Sequence, residues 1–213
     1  MPAEAPAWTA IVFARAPLAG QVKTRLIPHL GAEAAAGLHR QLMTRTLERA
    51  CAARGARVQL WIAGDTSDAF VQDLARRFEV PVFGQHGADL GERMARALAR
   101  ALSEADRCVL IGTDCPAQTP RDLEQAAHAL QSNDVVLQPA HDGGYVLVGL
   151  TRPQPRLFDA IAWGGPEVAR QTLRQAASLG LRLHRLRPLH DLDSEADLRR
   201  ALDSGWIDPW TTP

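Results

Sequence analysis

Lysine is almost missing from this sequence: Lys23 is the only one, set against 23 arginines. Other features are just as scarce. There are three cysteines, one tyrosine, no net charge and no apolar run longer than a strand. Cys51, Cys108 and Cys115 lie far apart with no CxxC pairing, which excludes a disulfide framework and a zinc ribbon and leaves reduced thiols. The balance of 24 acidic and 24 basic residues removes any global field that would draw in nucleic acid or an anionic membrane surface. Nucleic acid is therefore not an expected partner, and any anion site must be local. Nothing in the sequence is long and apolar enough for a membrane span. Residues 1–8 carry neither the basic nor the apolar region of a secretory signal, so a cytoplasmic location is expected.

At 213 residues the chain is suited to one sizeable α/β domain, and no linker or repeat divides it, so residues 1–213 read as a single domain. Short β-rich runs alternate with helical stretches. Strands are expected at 10–14, 58–63, 80–83, 108–112, 135–137, 144–150 and 181–186. Helices are expected at 32–54, up to 78 behind the capping cluster Asp65 to Asp68, at 90–105, 120–130, 166–178 and 194–204. This order predicts a mostly parallel sheet with helices on both faces. The two closely spaced strands flanking Asp142 predict some antiparallel pairing.

What the chain does contain is chemistry in the loops that follow strands, where ligands of open α/β sheets bind. The first such loop follows the strand ending at Ala14 and runs through Gly20, Lys23, Thr24 and Arg25. In so arginine-rich a chain, the lone ammonium reads as a compact point charge for a phosphate, with Arg25 beside it as a bidentate fork. It is neither a GxGxxG fingerprint nor a P-loop, since Val22 stands where the P-loop needs glycine. The alternative is a solvated surface loop.

Three acidic loops are the counterpart. Asp114, in Gly112-Thr113-Asp114-Cys115-Pro116, leaves a buried-type strand and is placed to hold a divalent cation; a turn-forming aspartate before proline is the alternative. Cys115 beside it reads as a packed thiol, not a nucleophile, because no histidine is placed by sequence to activate it. In His141-Asp142-Gly143-Gly144-Tyr145, Asp142 is the acid expected near an acceptor, with Gly143 and Gly144 letting backbone pass close to a ligand. A hairpin turn of the Asp-Gly type competes with that reading. In His190-Asp191-Leu192-Asp193-Ser194-Glu195-Ala196-Asp197, Ser194 and Asp197 form a capping box for the last helix. Asp191 is left over by that account, free to meet Asp114 across one magnesium ion. A smaller candidate is Gly91, where glycine in the first turn of a helix lets a base or ribose approach.

Together FARAPLAGQVKTRL, GADLGERM, GTDCPAQTP, DGGYVLVGL, the AWGGPEV segment around Trp163 and DLDSEADL resemble the GT-A-type nucleotide-diphospho-sugar transferase superfamily. The likeness is to a bacterial selenodomain-associated transferase branch. The molybdenum-cofactor and 2-phospholactate guanylyltransferases are more distantly similar. It extends from residue 11 to about 202 and implies a three-layer α/β/α Rossmann-like fold. It also implies a nucleotide over the first loop, contacted by Ala14, Gly20, Lys23, Arg25, Gly91, Gly143 and Gly144. Mg²⁺ or Mn²⁺ would be held by Asp114, Asp191 and Asp193.

The glycine-dense first loop of the guanylyltransferases is lacking, so their base specificity does not carry over. Gly165 stands where the branch often has a hydroxyl residue. The activity expected is a Mg²⁺-dependent transferase using a nucleotide or nucleotide sugar and a small-molecule acceptor, with Lys23, Asp114 and Asp142 at the chemistry. The alternatives are nucleotidyl transfer releasing pyrophosphate, or a nucleotide-binding regulatory module without turnover.

Overall fold

The computed structural model describes residues 7–208; residues 1–6, over most of which the absence of a signal was read, and residues 209–213 lie outside it. One seven-stranded sheet organises the chain. Its strands are β1 (Trp8–Arg15), β2 (Ala56–Ala63), β3 (Val82–Gly84), β4 (Cys108–Gly112), β5 (Val135–Pro139), β6 (Tyr145–Leu150) and β7 (Leu183–Arg185). The helices are α1 (Ile27–Leu30), α2 (Ala32–Ala52), α3 (Ala69–Phe78), α4 (Leu90–Leu102), α5 (Pro120–Ala129), α6 (Val168–Ser178) and α7 (Glu195–Asp203). Strand order is β3-β2-β1-β4-β6-β5-β7, with only β6 antiparallel to its neighbours. The expected mostly parallel, partly mixed sheet in a three-layer Rossmann-like fold is therefore what forms.

Alternation along β1 shows how the layers are built. Ala10, Val12 and Ala14 face one core with residues of α2, α3 and α5, while Ile11 and Phe13 face the other with α4 and the 155–158 turn. Helix α4 buries Met94, Ala97, Leu98 and Ala101, a stripe at helical spacing. Met94 and Leu98 each contribute roughly 1.5–3 kcal/mol by leaving water. A third cluster joins Leu26, Leu38, Leu42, Leu192 and Leu198. It matters for function, because it fastens the loop after β1 to the loop before α7.

Boundaries differ from the sequence reading where caps intervene. Strand β3 starts at Val82, not Val80, because Glu79 turns left-handed and the Val80 amide still donates to Ala75 at the end of α3. Helix α6 starts at Val168, not Pro166, because the preceding residues are held against the β5–β6 turn. Helices α2 and α4 stop two or three residues early, at Ala52 and Leu102, and β7 is trimmed to Leu183–Arg185. The capping box of Ser194 with Asp197 is present, and Thr119 with Asp122 forms another on α5.

Candidate functional site

The order β2-β1-β4 places a topological switch point between β1 and β4, where the chain leaves the sheet in opposite directions. A cleft of about 880 Å³ opens there. It is lined by Ala14, Lys23, Arg25, Asp114, Asp142, Gly144, Asp191 and Asp193, all singled out in the sequence. Residues from four loops, spread over most of the chain, thus line one cleft.

Lys23 is their junction. Its ammonium lies 2.6 Å from Asp114 Oδ1 and 3.3 Å from Asp193 Oδ1, and donates to the Leu192 carbonyl at 2.5 Å. The side chain is only 4% exposed. Burial works against the charge, but the carboxylates of Asp114 and then Asp193 outweigh it and hold the amine above its ordinary pKa. The backbone is unusual as well, since Lys23 is left-handed at φ 47°. A non-glycine residue held there costs of order 1 kcal/mol or more and needs surroundings that enforce it. The expectation of a free ammonium facing a phosphate is therefore corrected in one respect: the charge is already committed to two carboxylates and a carbonyl. A guanidinium, planar and longer, has no equivalent fit in so closed a space.

Asp114 sits at the foot of the cleft. Its side chain is 51% exposed to the opening, although protein surrounds it densely on the other sides. Burial pushes its carboxyl upwards, and the opposing charges of Lys23, His39 and Arg15 prevail and hold it below the usual carboxylate range. The Leu192 amide donates to the Asp114 carbonyl at 2.8 Å, so the β4 loop and the late acidic loop are joined by backbone too. Arg25 is 73% exposed, with its guanidinium 3.6 Å from Asp193, and is the solvent-facing cation of the pair.

The acids divide differently from the expected set of Asp114, Asp191 and Asp193. Asp114 and Asp193 share Lys23, whereas Asp191 lies beside Asp142. Partial burial and the negative charges of Asp142 and Asp193 push the Asp191 carboxyl up to about 7. Among the described residues no three His, Cys, Asp or Glu side chains are grouped to cage a metal ion. Magnesium does not require such a cage, being held by one or two carboxylates with substrate phosphates and water. The donor set fits that pattern: hard carboxylate oxygens in an open cleft, one carboxyl held between like charges.

Three expected nucleotide contacts, Gly20, Gly91 and Gly143, do not line the cleft. Gly91 serves packing instead of ligand approach: a Cβ there would lie 2.7 Å from Cζ2 of Trp163. Gly143 is the hairpin residue at φ 97°, where a Cβ would overlap the Pro166 carbonyl. Its own carbonyl accepts from Ala169 at 2.9 Å, which binds the turn to α6. Asp142 Oδ1 accepts from the Gly144 amide at 2.8 Å, so the turn reading and the presentation of a carboxylate hold together. Cys115 is buried, its thiol pushed up to about 12 by burial, as befits a packed group.

Sequence reasoning missed three residues here. His39, on the inner face of α2, meets the Arg15 carbonyl through Nε2 at 3.1 Å and is kept below its ordinary pKa by burial. Its only sequence signal was a polar residue between Leu38 and Leu42. Gln85 donates from Nε2 to the carbonyls of Ala14 and Trp61, closing the cleft between β1 and β2. Trp163, noted only as part of a segment, forms a cleft wall with Tyr145.

Fold and site define a class, the α/β proteins built like nucleotide-sugar and nucleotidyl transferases. A protein from Desulfovibrio desulfuricans G20, provisionally described as a nucleotide-diphospho-sugar transferase, shares 30% identity over 93% of this chain and 89% of its own, with a TM-score of 0.84. The 4-diphosphocytidyl-2C-methyl-D-erythritol synthase of Anaerococcus prevotii DSM 20548 is 11% identical over 92% and 97%, with a TM-score of 0.62. The inositol-1-phosphate CTP transferase of T. maritima is 14% identical over 89% and 90%, at 0.56. Those two show the fold alone. The family model DUF2064, an uncharacterized protein conserved in bacteria, matches residues 46–165, and the chain belongs to that family. No curated protein matches it. No helix among the described residues is long and apolar enough to cross a membrane.

Proposed function

We propose that this protein is a Mg²⁺-dependent glycosyltransferase that binds a nucleotide sugar in the switch-point cleft and passes the sugar to a small-molecule acceptor. The observation that carries the reading is the convergence of Lys23, Arg25 and four aspartates, drawn from four loops in all, on one opening at the carboxyl edge of the sheet. Such a site supplies charge and position rather than a covalent nucleophile, which suits transfer from a diphosphate. The 30% identical relative, described as a nucleotide-diphospho-sugar transferase, supports the choice of donor.

In this reading Arg25 grips phosphate oxygens, since its fork is exposed and only loosely engaged. Lys23 lends positive charge at close range while fixing Asp114 and Asp193. A divalent cation, when bound, would neutralise charge on the diphosphate; Asp191 and the open oxygen of Asp114 would hold it, with Asp193 less free because Lys23 and Arg25 already share it. Asp142, on the hairpin facing the acceptor side, takes the proton of the incoming hydroxyl. The sugar–oxygen bond breaks as the acceptor–sugar bond forms, and the nucleoside diphosphate leaves. Manganese can replace magnesium in such a donor set.

A thermal-shift screen of nucleotides and nucleotide sugars, with and without Mg²⁺, tests this directly. One nucleotide sugar is expected to raise the melting temperature in the presence of Mg²⁺ and much less in its absence. Product analysis then separates the chemistries: free nucleoside diphosphate supports the proposal, whereas pyrophosphate assigns nucleotidyl transfer, the chemistry of the fold's cytidylyl-transferring neighbours. Tight binding that ignores Mg²⁺, with no product from any acceptor, would instead leave a binding module.

A further inference from the structure

The cleft has two chemically distinct halves. The acids, Lys23 and Arg25 occupy one. The other carries Phe13, Leu90, Met94, Leu110, Tyr145 and Trp163, with Arg93 of α4 as its one charged neighbour. Trp163 meets Tyr145 edge to face at a centroid distance of 6.3 Å and leans on Phe158 at 6.4 Å. The volume of about 880 Å³ is near the top of the range for small-molecule sites, leaving room for a second ligand beside a nucleotide.

The placement of Trp163 is hard to explain by stability. Its indole N–H is buried without a hydrogen-bond partner, a state that costs roughly 1–3 kcal/mol. It reaches its position only because residue 91 has no side chain to block it. That glycine sits in the first turn of α4, where alanine would favour the helix by about 1 kcal/mol. The segment carrying the ring is tied to α6, and α6 to the hairpin of Asp142: Gln171 Oε1 accepts from the Ala162 amide, and the Ala169 amide donates to the Gly143 carbonyl. At the mouth, Leu90 is 44% exposed, one of two large apolar side chains left so open among the described residues. The apolar lining therefore continues from Tyr145 and Trp163 out to the surface.

We infer that this half is an acceptor subsite for an amphiphilic alcohol, whose hydroxyl head meets Asp142 and whose apolar body lies along Trp163, Met94 and Leu90. The inference rests on the transferase reading for the word acceptor, but the selectivity for an apolar body is a binding property that can be measured without turnover.

The probes are phenyl β-D-glucoside and methyl β-D-glucoside, which share an uncharged hydroxyl head and differ in the apolar group. Dissociation constants by ligand-observed NMR are expected to favour the phenyl compound by about tenfold, the worth of one well-covered ring edge. Trp163→Ala and Gly91→Ala, the latter by displacing the indole, should reduce that preference to under threefold. Leu90→Ser, at an exposed position that does not threaten folding, should weaken the phenyl compound about twofold to fourfold and leave the methyl compound unchanged.

Equal binding of the two glucosides to the wild type overturns the inference. So does a loss of nucleoside diphosphate binding in Leu90→Ser matching the loss of phenyl glucoside, because the apolar half would then belong to the base. If no nucleotide binds the wild type in the presence of Mg²⁺ while the phenyl preference persists, the transferase reading fails and the apolar subsite stands.

Discussion

Asp114 and Asp122 flank the loop that leaves β4, and the two carboxylates live in opposite circumstances. Asp122, near the start of α5, is buried and fully engaged. It accepts from the Thr119 amide and hydroxyl in the capping box, from Arg187 at 3.0 Å and from Gln138 at 3.5 Å. Asp114 meets one ammonium and leaves half its side chain open to the cleft. The first arrangement consumes every lone pair in holding α5 to β5 and the chain before α7. The second keeps an oxygen in reserve beside a residue in strained backbone, which is what a site that must accept a ligand requires.

Breaking each cluster should therefore give opposite signatures. Asp114→Asn or Lys23→Ala is expected to lower kcat/KM by about 100-fold or more, the scale of losing a preorganised charge in a transfer site. Circular dichroism should show the fold retained. Asp122→Ala should do the reverse, costing about 2–4 kcal/mol because Arg187, Gln138 and the Thr119 cap all lose a buried partner. In a chain of this size that lowers the melting temperature by roughly 5–10 °C, with activity per folded molecule unchanged. If Asp122→Ala inactivates a fully folded protein, or Asp114→Asn melts it, the division between the two clusters is wrong.

That same contrast explains what could be read from sequence. Element order, the mixed strand pair, the α7 capping box and the start of α5 were legible because they depend on local pattern: apolar runs, Ser194 before Asp197, Pro120 at a helix's first position. The charged members of the cleft were legible too, since loops after strands converge by topology, whereas Gly20, Gly91 and Gly143 fall outside its lining and His39, Gln85 and Trp163 went unread. Partnership inside it was not. Whether Lys23 faces a phosphate or Asp114 depends on the third apolar cluster, where Leu26 and Leu192 pull two loops together from opposite ends of the chain. Glycine was misread at Gly91 for a related reason: the sequence says that space is needed, and only the fold shows that Trp163 fills it.

The near absence of lysine sharpens the comparison at intermediate size. Lys23→Arg keeps the charge but asks a planar group to fit where the ammonium is 4% exposed and shared between two carboxylates. Turnover is expected to fall about tenfold with little loss of stability, whereas an Arg187→Lys exchange at the exposed end of the Asp122 cluster should be silent in activity. Equal activity for Lys23→Arg and wild type would mean that charge alone matters at this position and that the compact shape does not.

The smallest effect belongs to an ion pair made of the same chemistry on open surface. Arg199 pairs with Glu195 one turn away on α7, both with substantial exposure. Water and salt screen such a pair, and ordering two long side chains offsets much of the attraction. Arg199→Ala should change stability by under about 0.5 kcal/mol and leave kcat/KM within error, even though Glu195 lies only two residues beyond Asp193. A chemical-denaturation curve alongside the kinetic assay decides it. A measurable loss of activity would extend the functional cluster into α7 and show that the late acidic loop is held by more than Lys23 and Leu192.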